Sequence, residues 1–171
     1  MTIEIVTDRL IIRSTKIADA DFCINIWLDE NMGKYLSDPP RDKAGDLYDK
    51  WKASVETYDG CYYFVAVSKA SHDYVGTSSL VPSQDLSEWD MGYCIHEDYQ
   101  RQGYGQEMIR GLIDFCTQRG GSKVIASVAK ENEASNGLIR KMGFKVMKEG
   151  RFQKARTDIY YDEYIYSYSI K

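Results

Sequence analysis

The chain has 171 residues, a formal net charge of −4 and a sequence pI of about 5.3. It is long enough to bury one core without metal or disulfide support and too acidic for a chain-wide phosphate-binding surface, so nucleic acid is not an expected partner. The four cysteines, Cys23, Cys61, Cys94 and Cys116, sit far apart in apolar runs without metal-ligand spacing, which predicts reduced, packed thiols and no metal.

No stretch approaches the ~20 apolar residues of a membrane span, and "MTIEIVTDRL" has neither a basic nor an apolar leader segment. The expectation is a cytoplasmic protein with no membrane partner and a single domain over 1–171, since no repeat or Gly/Pro/Ser-rich linker divides it. "RLIIRS", short and β-branched, predicts a strand, and "IADADFCINIWLDE" spaces Ala18, Phe22 and Ile26 beside Cys23 and Trp27 as one helix face. After the proline pair, Leu47, Trp51 and Val55 recur four apart and predict a second helix. "CYYFVAVS" and "YVGTSSLV" read as strands joined by the turn-like "KASHD", and "SEWDMGYCIH" as a third.

The stretch "YQRQGYGQEM" then hands that strand to a helix from about Gly103 to Arg119, whose inner stripe carries Met108, Leu112 and Phe115 with Ile109, Ile113 and Cys116. "SKVIASV" is a strand, "NEASNGLIRKM" a helix stopped by Gly143, and "FKVMKEGRF" a strand. In "EYIYSYSIK" the residues Tyr164, Tyr166, Tyr168 and Ile170 alternate onto one face. The order β-α-α-β-β-β-α-β-α-β-β is that of an α/β protein.

The glycine-spaced loop is the chemical signal. The first turn of a helix presents N–H groups without intrahelical partners at the positive end of its dipole, and glycine lets an anion approach them. Gly103 and Gly105, with Gln100, Arg101 and Gln102 beside them, form a candidate pyrophosphate cradle; tight packing is the competing reading of the glycines. A dinucleotide-binding loop needs glycine where Met108 stands, and a P-loop needs Gly-Lys-Ser/Thr, which is absent.

The loop resembles the Gln/Arg-x-x-Gly-x-Gly/Ala signature of the GCN5-related N-acetyltransferases (GNAT), met by Gln100, Gly103 and Gly105. "NEASNGLIRKMGF" looks like the next block of that family, and "TDRLIIRSTKIADADF" with "WDMGYCIHEDYQRQGYG" looks like its ribosomal-protein N-acetyltransferase branch. The resemblance covers nearly the whole chain in order. It implies a mixed, mostly antiparallel seven-stranded sheet with helices on both sides and two central parallel strands that splay apart.

It further implies that acetyl-CoA binds as co-substrate through Gln100, Arg101, Gln102, Gly103, Tyr104, Gly105 and Gln106. The pantetheine would follow the strand ending near Ile95, and Asn132 would contact the cofactor. Acetyl would pass to a primary amine, either a protein N-terminus or a small amine, by direct attack on the thioester. Asp90 occupies the strand position of a carboxylate that relays the amine proton, with Glu88 on the same face as the alternative; a solvated strand charge, or a site for a cationic amine, is the other reading. Many members carry an acidic tyrosine where Ile139 stands here. Ser135 is the proposed substitute, although "NEAS" is also ordinary helix capping with Asn132 as N-cap.

His96, Cys94 and the tail tyrosines are read as surface or packing residues. Asp38, Asp42, Asp46 and Asp49 are read as a solvated helix face able to steer a cation. Look-alikes are commonly homodimers. Two other classes stay open from sequence: a non-catalytic acetyl-CoA-binding module, motivated by Ile139, and a nucleotide-binding protein sharing only the glycine loop.

Overall fold

The computed structural model describes residues 3–39 and 60–171. Among them, eight strands form one sheet in the order β1-β2-β3-β4-β5-β6-β8-β7: β1 (Glu4–Val6), β2 (Leu10–Ser14), β3 (Tyr62–Ser68), β4 (Tyr74–Pro82), β5 (Glu88–Ile95), β6 (Lys123–Ala129), β7 (Lys145–Gln153) and β8 (Tyr160–Ser169). Neighbours are antiparallel except β5 and β6, which run parallel. The count exceeds the expected seven by β1, whose three residues are too few to show a period but pair with β2 from Glu4↔Arg13 to Val6↔Ile11.

Helices α1 (Ala20–Leu28), α2 (Tyr104–Gln118) and α3 (Glu133–Lys141) follow the expected positions. The helix expected around Leu47, Trp51 and Val55 lies outside the described residues. Gly103 is not the first residue of α2 but its N-cap, at φ +85°, and Gly143 takes φ +93° after α3 as the stop predicted for it.

Side-chain alternation assigns the two faces of β5. Trp89, Met91, Tyr93 and Ile95 face α2 and α3, where the core gathers Met108, Ile109, Leu112, Phe115 and Ile139. Phe115 makes edge contacts with Tyr62, Phe64 and Trp89 at centroid distances of 5.6, 5.7 and 6.0 Å. Each such pair adds ~0.5–1.5 kcal/mol beyond burial, so this cluster fixes α2 on the sheet. The tail follows the same rule: Tyr166 is fully buried, and Tyr168 packs on Phe144 at 5.2 Å.

The opposite face carries Asp90, Gly92 and Cys94 and is covered by α1 and the chain after it. There Trp27 Nε1 donates to Thr77 Oγ1 at 3.0 Å and Cys94 Sγ donates to the Met32 carbonyl at 3.5 Å. Buried Asp19 anchors this layer: Arg13 grips it with two bonds of 2.7 and 2.8 Å, Tyr74 donates at 2.6 Å and the Lys16 N–H at 2.8 Å. Burial alone would raise the Asp19 carboxyl, but these donors outweigh it and hold the pKa below the ordinary value.

Candidate active site

The two central strands part where the chemistry is expected. Parallel pairing of β5 with β6 spans only Glu88↔Lys123, Trp89↔Val124 and Asp90↔Ile125, although both strands continue beyond it. Past Asp90 the two strands are no longer paired with each other. This is the fork between parallel strands that the sequence reading expected.

At the mouth of that fork, the first bond of the α2 ladder is Glu107 N–H to Gly103 O at 3.1 Å. The N–H groups of Tyr104, Gly105 and Gln106 therefore precede the ladder and point out of the helix end. Only glycine adopts φ +85° at Gly103 without strain. Arg101 also takes a left-handed φ of +58°, a conformation costing a non-glycine residue about 1–2 kcal/mol. Gly105 has a second reason to be glycine: a Cβ there would stand 2.8 Å from Leu138 Cδ2, so its absence lets α2 meet α3. The glycine pair thus serves the left-handed cap at Gly103 and the approach of α2 to α3 at Gly105. An open helix end with no Cβ at two positions fits the pyrophosphate of acetyl-CoA.

Within the loop the expected side chains divide their work. Gln100 Nε2 donates to Ile95 O at 2.9 Å and Gln102 Nε2 to Asp98 O at 2.7 Å, so both amides brace the loop on its own backbone. Ile95 is a core residue whose carbonyl is taken by that bond. The Arg101 side chain is exposed.

What the sequence reading did not assign is the support behind the loop. Arg9 Nη1 donates to the Gln102 carbonyl at 3.0 Å, and its guanidinium lies 4.1 Å above the Tyr104 ring. Glu107, in the first turn of α2, accepts from Thr7 Oγ1 at 2.6 Å, Arg9 N at 2.6 Å and Arg9 Nε at 2.7 Å. Burial would raise the Glu107 carboxyl, but these donors prevail and keep it below its ordinary value. The Thr-x-Arg of "TDRL" thus clamps the loop from the N-terminal end of the sheet.

The two carboxylates on β5 differ. Glu88 is paired with Lys123 on β6. Asp90, at the last paired position before the fork, is exposed yet partly desolvated by the protein atoms around it; that desolvation raises its pKa above 3.8 against one bond from the Met91 N–H. Glu163 on β8 is raised too, first by burial and then by the charge of Asp90. A carboxylate held above its usual range is suited to taking a proton.

On the far side of the fork, Asn132 caps α3, its Oδ1 accepting from Ser135 N at 3.2 Å, so the capping reading of "NEAS" holds for Asn132. Ser135 is not the exposed first-turn residue that this reading implied. Its Oγ lies 2.6 Å from the hydroxyl of Tyr93, reaching across from β5. Tyr93 went unassigned in the sequence, although its odd spacing from Asp90 marks it as belonging to the other face. Burial pushes the Tyr93 phenol up to about 12. Ile139, at the usual tyrosine position, is fully buried in the core. Next to Ser135, Asn136 is also buried, donating to Ala129 O and Asn132 O at 2.9 Å each and accepting from Tyr166 at 2.7 Å.

The remaining expectations fall as follows. All four cysteines are free, and burial pushes Cys23, Cys94 and Cys116 up to about 12, consistent with packing thiols. His96 caps a short turn, Nδ1 accepting from Asp98 N at 3.3 Å. Of the acidic run, Asp38 alone is among the described residues; it lies in the coil after α1 rather than on a helix and pairs with Arg156 at 2.9 Å. Lys154 binds the Gly33 and Lys34 carbonyls at 3.2 and 2.9 Å, so the β7–β8 turn is tied to the chain that follows α1. Among the described residues, no helix is long and apolar enough to cross a membrane.

Comparison with known proteins agrees with this geometry. An N-acetyltransferase of Bacillus licheniformis named p20, itself uncharacterized, is 24% identical over 168 residues, 94% of this chain and 93% of its own. In fold, the chain matches a spermidine N-acetyltransferase of Vibrio cholerae, solved with CoA and spermine, with a TM-score of 0.79 at 16% identity over 94% of this chain and 95% of that one. It likewise matches a ribosomal-protein-S5-alanine acetyltransferase of Vibrio fischeri, with a TM-score of 0.71 at 19% identity over 98% and 96%. The model of the acetyltransferase (GNAT) domain matches residues 9–145, a span that runs from the Arg9 clamp through the glycine loop and the fork to the end of the Asn132–Phe144 block, and the chain belongs to that family of acyltransferases.

Proposed function

We propose that the chain transfers the acetyl group of acetyl-CoA to a primary amine by direct attack on the thioester. The observation that carries the reading is the conjunction of an open, glycine-capped end of α2 with a fork between β5 and β6 whose floor holds Asp90. In this reading the N–H groups around Arg101 to Gln106 hold the pyrophosphate, and the pantetheine follows β5 past Ile95. Asn132 contributes through the α3 end that it caps.

The amine must be neutral to attack. Asp90, with its raised pKa, accepts the amine proton directly or through water, while Glu88 is spent on Lys123. The carbonyl carbon forms a bond to nitrogen, a backbone N–H along the unpaired edge of β5 stabilises the oxyanion, and the C–S bond breaks with its electrons on sulfur. Ser135 donates its hydrogen bond to that sulfur. Asp90 and Glu163 give the acceptor side a negative character that favours a cationic amine. The acceptors named for the structural neighbours, spermidine and a ribosomal-protein alanine, bracket the range from polyamine to protein N-terminus.

The test is a calorimetric titration with acetyl-CoA of the wild type and of an Arg101→Glu, Gln106→Glu variant. That variant charges the cradle while sparing the Gly105–Leu138 contact. Binding by the wild type that is lost in the folded variant supports the reading and leads to a panel of amine acceptors. Absence of binding by the wild type removes it.

A further inference from the structure

We infer that Tyr93 is a positioning residue: its hydroxyl, across the fork on β5, holds Ser135 Oγ in the orientation that meets the departing sulfur of CoA. The inference rests on the acetyl-CoA reading of the site.

The contact is short, 2.6 Å, and joins two different elements, the strand on one side of the fork and the first turn of α3 on the other. A serine hydroxyl in a helix start rotates freely unless something fixes it, and it often turns back onto backbone groups. Here the local acceptor, Asn132 Oδ1, is engaged by the Ser135 N–H. Either hydroxyl can donate in this contact; with the phenol as donor, the serine hydrogen is left free to bond to a group other than Tyr93. The usual tyrosine position of the family's helix, held by Ile139, lies in the core. A phenol therefore reaches this side of the cleft from β5 instead.

The balance of the step defines what the pair does. As nitrogen bonds to the carbonyl carbon and the C–S bond breaks, one electron pair departs on sulfur, while the amine proton goes to Asp90. A thiol with a pKa of about 8.5 leaves competently as thiolate. A phenol pushed up to about 12 does not surrender its proton to such a thiolate. Ser135, held by Tyr93, accordingly lends its hydrogen bond to the developing charge, both residues keep their protons, and CoA takes its own from solvent after release.

The test reads the thiol of bound CoA directly and needs no acceptor. CoA is bound to the wild type, to Tyr93→Phe and to Ser135→Ala, and thiolate absorbance is titrated as a difference against each protein alone. Cys23, Cys94 and Cys116, pushed up to about 12, stay outside the window, and the thiol of Cys61 is removed by the subtraction of each protein alone.

In the wild type the bound thiol is expected to titrate about one pH unit lower than in either variant, a tenfold difference in thiolate fraction. A Tyr93→Phe, Ser135→Ala double variant is expected to match Ser135→Ala, because Tyr93 acts through the serine. With an amine acceptor, Tyr93→Phe is expected to lower kcat about tenfold and leave the KM for acetyl-CoA within about twofold. CoA bound with equal thiol titration in wild type and Tyr93→Phe overturns the inference alone, as does an additive loss in the double variant. A wild type that binds no CoA overturns the acetyl-CoA reading and this inference with it.

Discussion

The clamp behind the glycine loop makes a quantitative prediction. Glu107→Gln keeps the shape of the side chain and its Oε1, which accepts from Thr7 and from the Arg9 N–H, but replaces the oxygen that accepts from Arg9 Nε with an amide that donates. A charge-assisted bond is worth about 1.5–3 kcal/mol. With the Arg9 side chain 45% exposed and that of Glu107 15% exposed, solvent screening reduces the loss to about 1–1.5 kcal/mol. If all of it is expressed in holding the Gln102 carbonyl and Tyr104 in place, the Kd for acetyl-CoA rises by up to about tenfold. Melting temperature falls by about 2–5 °C for a chain of this size.

The assay is a paired calorimetric titration and thermal melt of the wild type, Glu107→Gln and Arg9→Gln, and both variants are expected to weaken binding together. Because the folded Glu107 carboxyl is held below its ordinary 4.5, its contribution is fully present above that pH and is lost as pH falls through the lower folded value. Glu107→Gln should therefore flatten that part of the stability profile. A lowered melting point with an unchanged Kd would refute the reasoning, since the loop would then hold its shape without the clamp.

Further outcomes follow from the same geometry. Gly103→Ala is expected to cost about 1–2 kcal/mol in a melt because φ is +85° and its Cβ would stand 3.2 Å from Arg9 Nη2. Asp90→Asn is expected to lower kcat/KM by about 100-fold. The wild-type pH profile should fall on the acid side at a pH above the ordinary 3.8, as the raised carboxyl takes up its proton, and Asp90→Asn should abolish that limb. In the native protein Cys23, Cys94 and Cys116, pushed up to about 12, should resist alkylation at neutral pH and react only on unfolding, as read by mass spectrometry. Among the described residues, Ser78 Oγ is buried without a hydrogen-bond partner, so Ser78→Ala should be neutral or raise stability by up to about 1 kcal/mol in a denaturant titration.

The sequence by itself determined the elements and the loop. Period-two and period-3.6 patterns are local consequences of which face is buried, so the tyrosine face of β8 and the apolar stripe of α2 were readable from single stretches. Gly103 was readable because a left-handed conformation at a helix start strongly favours glycine, and Asn132 because a cap bonds within three residues of itself. β1 was not, since three residues carry no period and its strand character comes only from pairing with β2.

The tertiary structure alone decided which residues work together. "TDRL" was visible as part of a family pattern, but its grip on Gln102 and Glu107 spans separations of 93 to 100 residues, beyond any spacing rule. Glu88 and Asp90 look alike on β5 until Lys123 arrives from β6 and pairs with the first, leaving the second at the fork. Ser135 reads as a cap until Tyr93, 42 residues earlier, closes on its hydroxyl. Chemistry at this site depends on groups brought together by packing across the sheet, and packing distance has no counterpart in the order of the chain.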